Sequence, residues 1–189
     1  MIQYNIVESL QQLTPFFDTL VESYNAAFGA PPYREPKSRE YLQQQFGRSF
    51  LTEEGQAGGA FIVAWNADAL YAVGAAQAYD AASYGIFAPA ATEAFPQYER
   101  PMAYLANLFL HPAWRRRGIA SALVQEREQL LRRHGYQSIV GRTLAVGPQR
   151  RFHQEMGYEW SEKLYFFPGS EHPKVLFGKV LSPRKSTSS

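Results

Sequence analysis

Residues 107–124 read NLFLHPAWRRRGIASALV. An apolar, β-prone run ends at Leu110, His111 and Pro112 break it, and apolar residues resume at helical spacing from Ile119. Between the two stand three consecutive arginines, which repel one another, then Gly118 and the small residues Ala120 and Ser121. A helix that starts after Gly118 leaves its first backbone N–H groups unpaired and presents the positive end of its dipole. Such a start is an anion site. Small side chains let a phosphate reach the main chain, and Arg115, Arg116 and Arg117 add charge-assisted donors around it. The arrangement suits a pyrophosphate. It is neither the lysine-containing loop of the P-loop nucleotidases nor the three-glycine fingerprint of dinucleotide-binding folds, so a different phosphate carrier is implied.

The rest of the chain is ordinary for a globular protein: 189 residues, 46% hydrophobic, 19% charged and a generous 15% aromatic. That length suits one domain over residues 1–181, with SPRKSTSS at 182–189 reading as a disordered tail. A formal charge of +2 falls short of the field expected of a nucleic-acid-coating protein. Zero cysteines exclude a disulfide framework, thiolate zinc sites and a cysteine nucleophile. The four histidines show no ligand spacing, so no metal is expected. No stretch reaches the roughly 20 apolar residues of a membrane span, and the amino terminus lacks a signal-peptide pattern. A cytoplasmic protein without a membrane partner is expected.

Periodicity outlines the elements. IQYNIV predicts a strand, and TPFFDTLVESYNAAFG a helix with Thr14 as N-cap, Pro15 in the first turn and Gly29 past the end. SREYLQQQFG predicts a second, shorter helix. AFIVAW and ALYAVGAAQAY flank a turn and predict a hairpin over 60–79, with Gly74 marking a bulge. Residues 80–101 carry Gly85, Pro89, Pro96 and Pro101, and read as a long functional loop. Strand AYLANLFL, helix GIASALVQEREQLLRRHG and strand YQSIVGRT then make a βαβ unit. A helix over PQRRFHQEM, with Pro148 in its first turn, precedes the strands YEWSEKLYFF and KVLFGKVL. The order β-α-α-β-β-β-α-β-α-β-β implies an α/β (α+β) fold, a mixed sheet with helices on its faces.

With these segments in view, the sequence resembles the GNAT superfamily of acyl-CoA-dependent N-acyltransferases. The resemblance rests on an apolar strand, a proline and Arg-x-x-Gly-x-Ala opening a helix, with Arg115, Gly118 and Ala120 at the signature positions. It also rests on a second segment, GPQRRFHQEMGYEW at 147–160. It implies a mostly antiparallel central sheet and acetyl-CoA as acyl donor. By this resemblance the pyrophosphate lies on Arg115, Arg116, Arg117, Gly118, Ile119, Ala120 and Ser121. The pantetheine arm pairs with the strand ending at Phe109 and Leu110, beside a wedge where that strand splays from the next. A backbone N–H near Leu110 would polarise the thioester carbonyl, a role typically worth ~3 kcal/mol for one donor.

The chemistry implied is direct attack of a neutral primary amine on the thioester. A base must deprotonate the ammonium, and an acid must protonate the leaving thiolate. The family usually places that acid, a tyrosine, four residues before the glycine of the second segment, where this chain has His153 before Gly157. An imidazolium could serve. Val146 stands where the family often has an asparagine, and Tyr104 where it often has a glutamate. The base is not identified, although Asp80, Glu93 and Glu99 lie near the long loop.

Other residues have plainer readings. His111 before Pro112 reads as structural. Tyr79, Tyr84, Phe87, Phe95 and Tyr98 fit either a substrate pocket or a minor core. Arg127, Arg132 and Arg133, alternating with Glu126 and Glu128, read as an exposed helix face. Two functions stay open: an N-acetyltransferase acting on a small-molecule or protein amine, and a non-catalytic acyl-CoA-binding or sensing module that has lost its proton-transfer groups. A homodimer is also left open, and no nucleic-acid partner is expected.

Overall fold

The computed structural model describes residues 1–29, 33–50, 59–145, 149–168 and 172–181. Seven strands form one sheet: β1 (Ile2–Ile6), β2 (Ala60–Asn66), β3 (Tyr71–Asp80), β4 (Met102–Leu110), β5 (Ser138–Leu144), β6 (Glu159–Tyr165) and β7 (Lys174–Val180). Their order across the sheet is β1-β2-β3-β4-β5-β7-β6, and every neighbouring pair is antiparallel except β4 with β5. That one parallel pair is the βαβ unit, closed by α5 (Ile119–Arg133). The mixed, mostly antiparallel sheet is the one expected.

Alternation along the strands feeds two faces. Ile62, Ala64, Val73, Ala76, Ala103 and Leu105 meet Ile119, Leu123, Val124, Leu130 and Leu131 of α5 in one buried cluster. Phe61, Val63, Ala75 and Phe109 point the other way. They meet Phe17 and Leu20 of α2 (Phe17–Phe28) and Leu42 and Phe46 of α3 (Arg39–Gly47). Each fully buried Leu or Phe on these stripes contributes about 1.5–3 kcal/mol.

Local rules explain most boundaries. Ser38, the first residue of the predicted helix, is the cap of α3 and accepts from the Tyr41 N–H at 3.2 Å. The first helix starts earlier than predicted. Ser9 is the cap, accepting from Gln12, and opens the short α1 (Leu10–Leu13); a 3₁₀ turn over Thr14–Phe16 then leads into α2. Thr14 instead donates its hydroxyl hydrogen to the Leu10 carbonyl at 3.1 Å, bonding back into the turn before it. The long connection after β3 also holds a helix, α4 (Ala88–Ala94), with Pro89 in its first turn. The last helix, α6 (Gln149–Glu155), follows β5. Pro148, Val146 and the tail at 182–189 lie outside the described residues.

Two irregularities shape the sheet. Ala64 opposes Gly74 while Trp65 opposes Ala72, so Val73 is an extra residue on β3, beside the glycine that predicted a bulge. A Cβ on Gly74 would lie 2.2 Å from the Phe109 carbonyl oxygen, so only glycine lets β4 come this close. On β4, Asn107 opposes Gln77 while Leu105 opposes Ala78, which leaves Ala106 as a second bulge. Just there, β4 and β5 part. Their pairing runs only from Met102 with Ser138 to Leu105 with Gly141, and Arg142, Thr143 and Leu144 pair with β7 alone.

Candidate active site

The parting of β4 and β5 opens a wedge whose walls come from both faces of the sheet. Its inner cavity, about 240 Å³, is lined by Tyr104–Leu108 of β4 and Arg142–Leu144 of β5. Tyr24, Phe28, Tyr33 and Glu35 close it on the α2 side, and Arg127, Phe152, His153 and Phe177 on the α5 side. A second cavity, about 360 Å³, continues outward along Leu108, Phe109 and Leu110 to Arg115 and Ala120. Phe28, Tyr33, Leu108, Gln149 and Phe152 line both, so the two cavities adjoin along the line from the arginine loop to the centre of the sheet.

At the outer end, Gly118 is the N-cap of α5 in a left-handed conformation, φ +77°, and Arg116 is left-handed as well, φ +63°. Left-handed residues at a helix start are the kind of backbone from which anion-binding nests are built. A Cβ at Gly118 would meet nothing within 4 Å, so the space over the helix start is open. Arg115, Arg116 and Arg117 are exposed, and none has a carboxylate partner among the described residues. The Arg117 guanidinium rests 4.8 Å from the centre of the Trp114 ring. Ile119 is buried in the core, while Ala120 and Ser121 are half-buried at the first turn. His111 accepts from the Ala113 N–H through Nδ1 at 3.3 Å and caps the intervening turn, a structural role.

Phe109 and Leu110 bury their side chains on opposite faces, 3% and 8% exposed, so only their backbones can serve a ligand. The His111 N–H donates to the Val73 carbonyl at 2.8 Å. Strand alternation then turns the Leu110 N–H to the other edge, the one β5 has left.

The bulge at Ala106 is braced from below. Arg127, 1% exposed, donates from one guanidinium nitrogen to the carbonyls of Asn107 at 3.2 Å and Gln77 at 3.4 Å. Gln77 in turn accepts from the Asn107 amide at 2.6 Å and donates to the Gln45 carbonyl at 2.6 Å. The reading of Arg127 and Glu128 as an exposed helix face is therefore corrected. The bulge frees ladder carbonyls that need a buried donor, and Glu128 pairs inward with Lys179 at 2.9 Å and accepts from Tyr158 at 2.9 Å. Arg132, on the same helix, adds a pair to Glu128 at 3.1 Å.

His153 lines the inner cavity, 5% exposed, with its ring stacked 4.0 Å from that of Phe177. Burial, and then the Arg127 charge, push its pKa down to about 3. The imidazolium that the sequence suggests as proton donor is thus suppressed, because this ring has neither solvent nor a carboxylate to stabilise its charge. Its Nδ1 is buried with no protein partner among the described residues.

Tyr33 stands at the junction of the two cavities and accepts from the Gln149 amide. Desolvation raises its pKa, opposed in part by Thr143 and Arg115, so the phenol keeps its proton at neutral pH. Among the described residues, Glu35 supplies the one carboxylate on the inner cavity's lining. The three acids suggested by sequence lie elsewhere: Asp80 borders a separate hollow with Thr92 and Arg100, Glu93 pairs with Lys163, and Glu99 is exposed. Of the aromatic set, Tyr79, Phe87, Phe95 and Tyr98 are core, packed with Tyr104, Val140 and Leu176, and half-buried Tyr84 leans on that core. Tyr33, Glu35 and Lys174 carry no local motif, which is why the sequence does not reveal them.

Solved structures share this architecture. Salmonella typhimurium YncA, solved with its cofactor acetyl-CoA, superposes with a TM-score of 0.66 at 14% identity, covering 99% of each chain. The PaiA N-acetyltransferase from Thermoplasma acidophilum, in complex with coenzyme A, gives 0.59 at 15% identity over 94% of this chain and 99% of that one. The ribosomal-protein-S18-alanine N-acetyltransferase from Escherichia coli gives 0.64 at 11% identity over 100% and 99%. Identities this low establish the fold alone. No curated protein sequence matches the chain. The sequence profile described as Acetyltransferase (GNAT) family does match, over residues 16–158, and covers the arginine loop and all but the last two residues of the second segment. The chain belongs to the GNAT acetyltransferase family.

Proposed function

We propose that this protein transfers the acetyl group of acetyl-CoA to a primary amine by direct attack. The observation that carries this reading is the pair of adjoining cavities that reach from the arginine loop inward, along a strand edge left unpaired. The residues present fit an acyl-CoA. The open space over Gly118 and the three arginines without acid partners suit its phosphates, and the free edge at Leu108–Leu110 suits an amide-bearing arm. When bound, acetyl-CoA supplies the activated acyl group.

The chain's own groups would do the rest. The Leu110 N–H donates to the thioester carbonyl oxygen and stabilises the charge that grows there. Glu35, at the inner cavity, takes the proton of the incoming ammonium, directly or through water. As the C–N bond forms and the C–S bond breaks, Tyr33, at the junction of the cavities and still protonated, would donate to the departing sulfur and be reprotonated by the proton that the attacking nitrogen sheds. His153 remains neutral and shapes the wall. In relatives such as Salmonella YncA and Thermoplasma PaiA the same fold holds acetyl-CoA or CoA, which supports the cofactor pose.

A second reading, a non-catalytic acyl-CoA-binding module, is favoured by one observation: the position usual for the acid holds a histidine that burial keeps neutral near pH 7. One experiment separates the two. Calorimetry with acetyl-CoA measures binding, and thiol release with a panel of primary amines measures transfer. Binding with amine-dependent release supports the enzyme, binding without release supports the module, and no binding overturns both.

A further inference from the structure

The inner cavity carries an imbalance of charge that acetyl transfer does not by itself require. Arg142 and Lys174 lie on adjacent strands, at neighbouring positions of the β5–β7 ladder where Arg142 opposes Leu176 and Leu144 opposes Lys174. Both line the cavity on the sheet face shared with Tyr104, away from α5 and from the arginine loop that serves the phosphates. Both are half-buried, and neither has a carboxylate partner among the described residues.

Arg142 is held in place from behind. One guanidinium nitrogen donates to the Tyr84 hydroxyl at 3.1 Å, and the group packs 4.4 Å from the centre of the Phe167 ring and 5.5 Å from that of Tyr84. Such a cation is oriented before any ligand arrives, with donors to spare. Desolvation lowers the Lys174 pKa; the Glu35 charge pulls it part of the way back, and the like charge of Arg142 adds a smaller push down. Neither cation is spent on a direct ion pair, so an anionic ligand group between them would draw on both charges. Glu35 lines the same cavity and offers the complementary charge to an ammonium.

We propose that the acceptor is a small amine bearing its own anionic group, as an amino acid does, with Arg142 and Lys174 binding the acid and the amine directed toward the Glu35 side of the cavity. The inference rests on the acetyltransferase reading, and it adds the substrate class. A fork-shaped guanidinium beside a point-like ammonium suits a carboxylate or a phosphonate equally well. A purely cationic acceptor, such as a polyamine, would meet like charges here.

The test compares matched acceptors with the full chain and acetyl-CoA. α-Amino acids, the corresponding α-amino amides, the decarboxylated amines and an aminoalkylphosphonate series are assayed for thiol release. Binding of each to the CoA-loaded protein is measured by calorimetry. The expected result is a preference of 10²-fold or more in kcat/KM and in affinity for the acid-bearing member of a set, with the phosphonate series showing which acid fits better. Arg142→Gln and Lys174→Met should each erase most of that preference while the acetyl-CoA dissociation constant stays within about twofold. Equal or better binding and turnover of the amides and polyamines would overturn the substrate class and leave the acetyltransferase reading standing. Failure to bind acetyl-CoA would overturn that reading itself.

Discussion

At Gly118 the backbone sits at φ +77° with empty space above it, so conformation and ligand access both depend on one missing side chain. Gly118→Ala should cost about 1–2 kcal/mol in a thermal melt, from the left-handed backbone alone. Gly118→Glu should add a negative charge where a phosphate would sit and abolish acetyl-CoA binding by calorimetry, with the circular dichroism spectrum unchanged. His153 makes a different prediction. Its pKa is about 3 in the folded state and 6.5 ordinarily, so between those values the unfolded chain binds a proton that the folded chain does not. Stability therefore falls as pH drops from about 6.5 toward 3, and rises with pH across that window. His153→Phe should flatten this part of a pH-dependent denaturation series. By the same token, His153→Ala should leave the shape of the turnover profile between pH 6 and 9 unchanged. Tyr33→Phe, which removes the proposed donor, should lower kcat about 10²-fold with little effect on acetyl-CoA affinity.

The strand β4 shows what a single extra residue does at the scale of an element. Ala106 puts the ladder out of step, β5 leaves after Gly141, and the freed carbonyls of Gln77 and Asn107 are met by Arg127 from the helix beneath. A Cβ on Gly141 would stand 2.5 Å from the Phe177 ring, so the last paired residue before the parting must also be small. Arg127→Met keeps the apolar stem and removes the donors. Two buried carbonyls then lose their partner, at about 1–3 kcal/mol each, offset in part by removal of a desolvated cation. A net loss of about 1–3 kcal/mol in urea denaturation is expected, together with a lower kcat as the wedge edge relaxes. The phosphate loop is legible in the sequence because its chemistry occupies seven consecutive residues, and strand, proline and glycine signals bracket it. Arg127 is not legible, since charges at helical spacing look like a solvated face and the demand for a donor arises only from a bulge on another element. The start of the first helix is misplaced for a smaller reason: Ser9 and Thr14 are both good caps, and Pro15 favours the wrong one. Glu35 and Lys174 lie far apart in sequence and share a cavity only because the sheet order places β7 beside β5.

Across the whole molecule, the sheet consists of two parts joined by only four residues of parallel pairing between β4 and β5. One part is β1 to β4, the other β5, β7 and β6, and the angle between them sets the wedge. Contacts that cross the join must hold that angle. On the α4 side Tyr98 donates to Glu159 at 3.3 Å, and near the closed end Ser138 donates to the Glu99 carbonyl at 2.7 Å. On the α5 side the crossing contact is Glu128. This carboxylate, 5% exposed on a helix packed under β2 to β4, binds Lys179 of β7 and Tyr158 just before β6; Lys179 also donates to the Met156 carbonyl at 2.9 Å. Lys179 is 24% exposed, so little solvent is at hand to replace the lost partner. Glu128→Ala leaves an uncompensated cation and an unpaired phenol, a loss of about 3–5 kcal/mol for a buried pair. In a chain of this size each kcal/mol moves the melting midpoint by roughly 2–4 °C, so the drop should be on the order of 10 °C. Glu128→Gln keeps an acceptor for Tyr158 but not the charge, and should fall between Ala and wild type. If the network also sets the wedge, acetyl-CoA affinity should decline in the same order, although Glu128 touches neither the arginine loop nor the cavity. A fall in melting temperature with unchanged affinity would mean that the strand pairing and the contacts at Glu159 and Ser138 fix the angle by themselves.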